Sequence, residues 1–290
     1  MIKSKQWKII SAIFLTAAFI ISIKAMHNQK TLSKWFTSIS KKTARTGMLQ
    51  AHDKQGLPIV FQWYRTSLQS SDFSEITKTV SAVGIEAYVS VETQFLKQHP
   101  EAVSQDENFK SFEPLFKDGL EYVDWNLVEN QERENLRQIF EMDVASLSAE
   151  IKESLPKDYY FFVLARDKTT SNVLGFIQFA IAPYYGFGDV KVITIAVAPA
   201  AQNRGLGKLL ISSVFKIIPN IKRLFLSTRP TNVIAIGAYQ AWGFIPDAHP
   251  IQDPHWKAIQ DHWVYFEYQV KQTNILQKTA KSLKEHSCHC

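Results

Sequence analysis

The sequence predicts a mixed α/β fold, because runs of strand type alternate along the chain with segments of helical periodicity. In residues 190–215, a run of β-branched apolar residues precedes Pro199, a glycine-containing turn and an apolar-periodic helix. Two apolar runs, at residues 159–166 and 173–182, are joined by a short polar connection and predict a β-hairpin. At 290 residues, the chain is long enough for one large domain or two small ones.

The other elements follow from the same two periodicities. The longest helical pattern, residues 129–155, has apolar residues at three- and four-residue intervals and an outer face rich in Glu. The further predicted strands are 57–66, 120–127, 223–228 and 263–270, and the further helices are 70–83, 93–105 and one that starts at Thr231 or Asn232 and ends at Gly243. Residues 109–119 contain Pro114 and are predicted to be a connection.

The turn at residues 202–207 has the chemistry of an anion site. It lies between a strand end and a helix start, where backbone N–H groups and the positive end of the helix dipole point to one spot. Gly205 and Gly207 lack a Cβ that would hold a ligand away from the backbone. A phosphate or pyrophosphate is the usual occupant of such a turn. An ordinary tight turn that caps the helix is the alternative.

Two motifs carry a family resemblance. The first is V-x-P-x-x-Q/R-x-x-G-x-G/A, and its positions are Val197, Pro199, Gln202, Gly205 and Gly207. It resembles the acyl-CoA site of the GNAT N-acetyltransferase superfamily. The second, N-x-x-A-x-x-x-Y…G-F, has Asn232, Ala235, Tyr239, Gly243 and Phe244 in register and resembles the second cofactor motif of the same superfamily. The resemblance covers residues 119–270, so residues 51–118 are an N-terminal extension or a subdomain packed on the core.

The resemblance implies a GNAT fold, with a central, mostly antiparallel mixed sheet that is flanked by helices and splayed at the cofactor strand. It also implies acetyl-CoA as co-substrate and direct attack of a primary amine on the thioester in a ternary complex. Tyr239 is the implied general acid that protonates the CoA sulfur. The implied cofactor-binding residues are Ile195, Ala196, Val197, Gln202, Asn203, Arg204, Gly205, Leu206, Gly207, Lys208 and Asn232.

Each of these roles has a structural alternative. Tyr239 is also placed as a packing residue of an amphipathic helix, Asn232 as a helix N-cap, and the side chains of Arg204 and Lys208 as solvent-facing charges. At the level of function, the alternatives are a non-catalytic acyl-CoA-binding module and an exported protein with a GNAT fold. The candidates for a base that deprotonates the amine are Asp189, Glu86, Glu121 and His249, and a water chain would also serve.

The acceptor amine is left open by the sequence. A protein lysine, an α-amine, a polyamine, an aminoglycoside and an amino-acid derivative all fit the implied chemistry. The aromatic loop 184–187, together with Trp256 and Trp263, is predicted to shape the acceptor pocket, with plain packing as the alternative.

The basic character of the chain lies at its ends. Of 33 Lys/Arg and 27 Asp/Glu residues, residues 1–45 hold nine basic and no acidic ones, and residues 271–290 hold four basic and one acidic. The other 20 basic and 26 acidic residues lie in residues 46–270, so the body is acidic and nucleic-acid binding is not predicted.

The N-terminus predicts export or membrane attachment. Residues 9–23 are apolar and uncharged and lie between lysines, which is typical of a signal peptide or a short membrane anchor within residues 1–25. Residues 26–50 are predicted to be a basic linker. More basic residues follow the apolar run than precede it, so an anchor would leave the body in the cytoplasm, where acetyl-CoA is available. Cleavage of the signal and export is the alternative location.

The C-terminal residues 271–290 are predicted to be a flexible basic tail. Both cysteines, Cys288 and Cys290, lie in the last three residues, so no disulfide framework is predicted for the body. The cluster of His286, Cys288, His289 and Cys290 contains soft-metal ligands, but a polar, disordered terminus explains it as well, and no metal site is assigned.

Overall fold

A computed structural model describes residues 46–65, 70–145, 160–181, 188–246, 262–270 and 275–286. Within these ranges the strands form one nine-stranded sheet in the order β7-β8-β6-β5-β4-β3-β2-β1-β9. The strands are β1 Thr46–His52, β2 Pro58–Arg65, β3 Tyr160–Asp167, β4 Val173–Ile181, β5 Asp189–Val197, β6 Arg223–Thr228, β7 Ile245–Pro246, β8 Val264–Gln269 and β9 Lys284–His286. The helices are α1 Ser70–Gln98, α2 Ala102–Gln105, α3 Glu113–Phe116, α4 Trp125–Ala145, α5 Leu206–Ile217, α6 Val233–Ala241 and α7 Ile275–Lys281. Short 3₁₀ turns occupy Glu107–Phe112, Leu120–Tyr122 and Pro199–Ala201.

The sheet is mostly antiparallel and splayed at one place. Among the described strands, β5 and β6 are the parallel pair, and all the other neighbours are antiparallel. The parallel pairing covers only residues 189–191 of β5 and 223–225 of β6, although both strands continue beyond it. The two strands therefore separate towards their carboxyl ends, and the predicted splay is confirmed.

A β-bulge lies at the same place. Gln178 of β4 faces Thr194, whereas the adjacent Phe179 faces Val192, so Ile193 is the extra residue on β5. A bulge reverses which face of the sheet the following side chains occupy. Val192 accordingly packs in the core on the α5 side, while Ala196 packs with α1 and α4 on the opposite face.

Both faces of the sheet are covered by apolar residues. On one face, α5, α6 and α7 pack over strands β1 to β6 and β8 around fully buried side chains such as Phe61, Leu210 and Tyr268. On the other, α1 and α4 pack against each other and against β3 to β5 through Val80, Leu136 and Phe140. A third cluster joins the end of α1 to α2 and to the start of α4.

The predicted strand at residues 120–127 is wrong. The chain instead makes a 3₁₀ turn and then enters α4, where the Asp124 carboxylate accepts a hydrogen bond of 3.0 Å from the Asn126 N–H. Val123 and Val128 are buried in the third cluster and not in the sheet. The strand that precedes the helices is β2. Residues 51–118 therefore contribute β2 to the central sheet and α1 to the helical layer that α1 forms with α4.

Helix α1 is also longer than the predicted helix 70–83. Gly84 follows that range, but the helix continues through it. Glycine is needed here because a Cβ would lie 2.4 Å from the Phe140 ring of α4. Glycine at this position lets the two helices approach closely. The helix therefore runs on to Gln98 and absorbs the first part of the short helix predicted at 93–105.

The two termini of the described chain meet at one edge of the sheet. β1 takes up the last five residues of the predicted linker 26–50 and pairs with both β2 and β9. The predicted flexible tail 271–290 is corrected within residues 275–286, which form α7 and β9, with Leu276 and Leu283 in the core. Cys288, His289 and Cys290 lie outside the described residues, as do residues 9–23. Within the described ranges, no helix combines the length and the apolar character needed to cross a membrane.

Candidate functional site

The splay between β5 and β6 opens into a cavity of about 320 Å³. Its walls come from α1, α4, the bulged part of β5 and the carboxyl end of β6. The residues that line it include Tyr88, Glu92, Glu132, Lys191, Ile195, Arg229, Tyr239 and Trp263. A cleft of this size at a strand separation is typical of a site for a small ligand.

Tyr239 lies in this cavity wall. It belongs to α6, is 6% exposed, and packs against the rings of Trp242, Phe244 and Phe266. Burial, and secondarily Tyr88, raises the pKa of the Tyr239 phenol far above its usual range. The phenol is therefore protonated at every physiological pH, so it has a proton to donate.

The hydroxyl of Tyr88, on α1, lies within hydrogen-bond distance of both backbone groups of Ile195. Its hydroxyl donates a hydrogen bond of 2.7 Å to the Ile195 carbonyl oxygen, and the Ile195 N–H lies 3.4 Å from the same hydroxyl oxygen. These are the groups of β5 that point into the splay, and the sequence assigned them to the cofactor arm. A ligand that pairs with Ile195 would exchange places with the Tyr88 hydroxyl.

The turn predicted to bind an anion has the expected backbone. Asn203 and Gly205 both have a positive φ, of 62° and 80°, and Gly205 is the N-cap of α5. A Cβ on Gly207 would lie 3.0 Å from the Trp242 ring, which explains the second glycine by close packing with α6. The first N–H groups of α5 have no acceptor within the helix, so they remain directed at the turn. Leu206 is buried, whereas Gln202 and Asn203 are exposed and Lys208 is half-buried.

Arg204 does not extend into solvent. Its Nε donates a 2.6 Å hydrogen bond to Asp53 in the β1–β2 turn, and the Asp53 side chain is fully buried. Burial acts to raise the pKa of Asp53, but hydrogen bonds from Arg204 and from the N–H groups of Leu57 and Gln55 outweigh it and lower the pKa. The ion pair therefore fixes the anion-binding turn to the first hairpin.

Lys54 is a cation beside the turn that the sequence did not assign. Its N–H donates to the Arg204 carbonyl at 3.0 Å, and its side-chain carbons would be 3.0 Å and more from a Cβ on Gly205. The Asn232 side chain accepts a 3.2 Å hydrogen bond from the Ala235 N–H, which is the N-cap role considered beside cofactor binding.

A buried ion-pair network forms the floor of the cavity. Arg229, which follows β6, is 3% exposed and donates from Nε to Glu92 at 2.8 Å. The guanidinium also stacks on the ring of Trp263 at 3.9 Å and lies 3.7 Å from Asp106. Burial raises the pKa of Glu92, and the contact with Arg229 opposes that shift. Burial lowers the pKa of His262, which lies 3.9 Å from Asp106, so this imidazole is neutral at pH 7.

Glu132 of α4 is the second buried carboxyl in the cavity wall. It is 3% exposed, and its Oε2 has no hydrogen-bond partner among the residues that the structure describes. Burial, and next the charge of Glu92, raises the pKa of Glu132 to about 9. No sequence motif pointed to it.

The base candidates named from the sequence lie elsewhere. Asp189 is paired with Arg223 at the start of β5, with Nε 3.0 Å from Oδ1, and Glu86 is paired with Arg133 at 2.7 Å on the surface. Glu121 is exposed, and none of the three lines the cavity. His249, Trp256 and the loop 184–187 lie outside the described residues. Trp263 does line the cavity.

Comparison with known proteins agrees with the motifs. The model of the acetyltransferase (GNAT) family matches residues 122–244, a range that includes the bulged strand, the anion-binding turn and Tyr239. No curated protein sequence matches the chain.

Among solved structures, the chain is similar to the PaiA N-acetyltransferase of Thermoplasma acidophilum in complex with coenzyme A, at 14% identity and a TM-score of 0.41, over 72% of this chain and 98% of that one. It is also similar to a putative GNAT acetyltransferase of Desulfovibrio desulfuricans, at 15% identity and a TM-score of 0.42, over 72% and 99%. A putative streptothricin acetyltransferase of Bacillus anthracis, in complex with acetyl coenzyme A, covers 41% of this chain and 65% of its own at 18% identity and a TM-score of 0.32. These overall similarities say nothing of substrate. The family model matches residues 122–244, a range that contains the residues of both motifs.

Proposed function

We propose that this protein is an N-acetyltransferase that moves an acetyl group from acetyl-CoA to a primary amine. The observation that carries the proposal is the arrangement of the cavity. Within the matched domain, the anion-binding turn precedes α5, and the strand that leads into it, β5, separates from β6 beside a buried, protonated phenol. A pyrophosphate on the turn would direct the thioester along β5 towards that phenol.

The cofactor would be held mainly by backbone. The N–H groups at the start of α5 and the left-handed Gly205 would receive the pyrophosphate, with Lys54 as an additional nearby cation. Arg204 would act through its ion pair with Asp53, by fixing the turn, and not by reaching the phosphates. The pantetheine arm would replace the Tyr88 hydroxyl on Ile195.

The chemistry would follow from holding the two reactants together. The neutral amine nitrogen attacks the thioester carbonyl carbon, the C–N bond forms, and the C–S bond breaks. The Tyr239 O–H donates its proton to the leaving sulfur, and the phenolate regains a proton that the amine nitrogen loses. No acyl-enzyme is formed.

The test is the Tyr239→Phe variant of the full chain. Phenylalanine keeps the packing against Trp242, Phe244 and Phe266, so acetyl-CoA binding should be unchanged. Acetylation of an amine should fall by about 10²- to 10⁴-fold in kcat, which is the usual contribution of a general acid. Equal kcat in the two proteins would reject Tyr239 as the acid. Binding of acetyl-CoA without turnover by the wild type would favour a non-catalytic acyl-CoA-binding module.

For location, we propose membrane association through residues 9–23 with the catalytic domain in the cytoplasm. Fractionation of cells that produce the full chain tests this. The expected result is that the full chain is found in the membrane fraction, whereas a variant without residues 1–25 is not. The catalytic domain should also be protected from protease added outside the cell. A mature N-terminus near residue 27 in the exported fraction would contradict it.

A further inference from the structure

Among the described residues that line the cavity, one buried carboxyl group has no cationic partner. Glu92 has Arg229 as its partner, at 2.8 Å. Glu132 lines the same cavity, is 3% exposed, and its Oε2 has no hydrogen-bond partner among the described residues. A buried polar atom without a partner is costly, so it needs an explanation, and a catalytic or ligand-binding role is one.

The charged groups around Glu132 favour the binding of one additional positive charge. Glu92 on α1 repels a second negative charge, and Arg229 at the end of β6 partly offsets that repulsion. Arg229 is already engaged by Glu92 and, at 3.7 Å, by Asp106, while the neighbouring His262 is neutral at pH 7 because burial lowers its pKa. Lys191 also lines the cavity, and burial lowers its pKa as well. A cation beside Glu132 would turn its protonated carboxyl into a carboxylate.

Much of the rest of this wall is apolar, although Asn135, Thr194, Ser227 and Thr228 also line the cavity. The carboxyl of Glu132 lies on a helix whose other lining side chains include Leu136, Ile139 and Phe140, and Phe109 and Trp263 line the cavity as well. A ligand that places apolar groups against these apolar side chains binds more favourably, since polar groups there would lose water without gaining hydrogen-bond partners.

On the basis of the proposed function, we propose that the acceptor is a small amine with a single positive charge and an apolar body, and that its nitrogen binds at Glu132. The carboxylate takes one proton from the ammonium and leaves the neutral amine that attacks the thioester. Of the three ammonium protons, one stays on the amide nitrogen, one passes to Glu132, and one restores the Tyr239 phenol after it has protonated the sulfur.

The same charges select against other amines. A polyamine or an aminoglycoside would bring several cations into a wall where, of the described carboxyl groups, Glu92 is already paired with Arg229 and only Glu132 is left to receive them. Each additional buried cation without a partner would be strongly unfavourable. A monoamine has no such cost.

The experiment uses the full chain with acetyl-CoA and two probe amines, 2-phenylethylamine and spermidine. The variants are Glu132→Gln, which keeps the shape and removes the charge, and Glu134→Gln as the matched control. Glu134 lies on the same helix, but it is exposed and pairs with Arg137. The readouts are acetyl-CoA affinity, kcat and KM for each amine, and the proton released when 2-phenylethylamine binds, from calorimetry in two buffers.

We expect the wild type to prefer 2-phenylethylamine. Glu132→Gln should leave acetyl-CoA affinity unchanged and lower kcat/KM for 2-phenylethylamine by about 10- to 100-fold, through KM because one charged hydrogen bond is lost and through kcat because the amide cannot take the ammonium proton. The variant should also abolish the proton release that the wild type shows, because the amide has no proton to give up. Glu134→Gln should match the wild type, and Glu132→Asp should recover part of the loss.

The outcomes separate this inference from the proposed function. If the wild type does not bind acetyl-CoA, the proposed function fails and this inference fails with it. If acetyl-CoA binds and spermidine is the better substrate, or Glu132→Gln acetylates 2-phenylethylamine as well as the wild type does, the inference alone is overturned. If Glu132→Gln does not fold, Glu132→Asp decides, because it keeps the charge and must retain proton release on amine binding.

Discussion

Glu132 illustrates which side chains the sequence could reveal and which it could not. In α4, Val128, Leu136 and Phe140 are buried at four-residue intervals, and Glu132 occupies the gap in this stripe. The predicted helical pattern begins at residue 129 and omits Val128, and its Glu residues were described as one outer face without separating Glu132 from the rest. Glu92 was missed in the same way, because the predicted first helix ended at residue 83. A charged residue inside an apolar stripe was the available signal.

The motifs of Tyr239, Gly205 and Gly207 are local, so the sequence could predict the turn before α5 and the helix α6 that contain them. The turn and the short helix α6 depend on residues close in sequence, and Tyr239 lines the cavity, whereas Gly205 and Gly207 lie at the start of α5 outside the cavity lining. The partner of Arg204 could not be foreseen, since Asp53 is 151 positions away along the chain.

Replacing Glu132 by Gln should stabilise the protein at alkaline pH. Its pKa is raised from 4.5 to about 9 in the folded state, so the folded protein binds the proton more tightly than the unfolded chain and stability falls as pH rises between these values. The cost is on the order of 3 kcal/mol by pH 7. Thermal unfolding should give Glu132→Gln a higher Tm than the wild type at pH 8, with the difference shrinking towards pH 5. The same pH dependence in both proteins would contradict the raised pKa.

Tyr88→Phe should strengthen acetyl-CoA binding. The hydroxyl now holds the Ile195 carbonyl at 2.7 Å, and binding of the cofactor arm must break that bond. Its removal should lower the Kd by about 2- to 10-fold, the value of one hydrogen bond. Titration calorimetry measures this, with the exposed Tyr122→Phe as the control. Weaker binding by Tyr88→Phe would mean that the hydroxyl is itself a cofactor ligand.

At the scale of elements, patterns that are complete within one segment were predicted well. The hairpin β3–β4 and the strands β5, β6 and β8 lie within a few residues of their predicted bounds. The errors lie where a contact between elements decides the structure. Gly84 suits a helix–helix contact and does not end α1, and the apolar residues of 120–127 are buried in a helical cluster.

The first hairpin should support the anion-binding turn. Asp53→Asn removes the charge that holds Arg204 but preserves an oxygen for the Gln55 and Leu57 N–H groups. The turn should become less ordered, and the Kd for acetyl-CoA should rise by about 3- to 10-fold, as when one partner of a hydrogen-bonded ion pair is lost.

The control for this element is Asp167→Asn. Asp167 accepts from the Thr169 and Thr170 N–H groups in a similar turn between β3 and β4, is half-buried, and feels the charge of Arg204 without accepting a hydrogen bond from it. An acetyl-CoA affinity that is the same for Asp53→Asn and the wild type would show that the hairpin has no part in the site.

Over the whole molecule, one edge of the sheet is formed by the two ends of the described chain. The last two strands at this edge, β1 and the outermost β9, were not revealed by the sequence, because β9 is only three residues long and β1 follows a basic segment. Their pairing brings α7 against α5, and it buries Leu276 completely.

This packing predicts that the C-terminal segment stabilises the domain. Leu276→Ala should lower the free energy of unfolding by about 2–5 kcal/mol, through lost burial and the cavity that remains. Lys278→Ala, on the exposed side of the same helix, should change it by no more than about 0.5 kcal/mol. Denaturant unfolding compares the two. Similar stability of both variants would mean that α7 is not part of the cooperative core.

The proposal that the turn before α5 holds acetyl-CoA is tested most directly by titration calorimetry of the full chain with acetyl-CoA. The comparison is Gly205→Glu, which places a side chain and a negative charge at a left-handed position against Lys54. Gly119→Glu is the control, since Gly119 also has a positive φ but is exposed and does not line the cavity. We predict binding by the wild type and by Gly119→Glu and none by Gly205→Glu. Equal binding by all three proteins, or by none, would contradict the assignment of this turn to the cofactor.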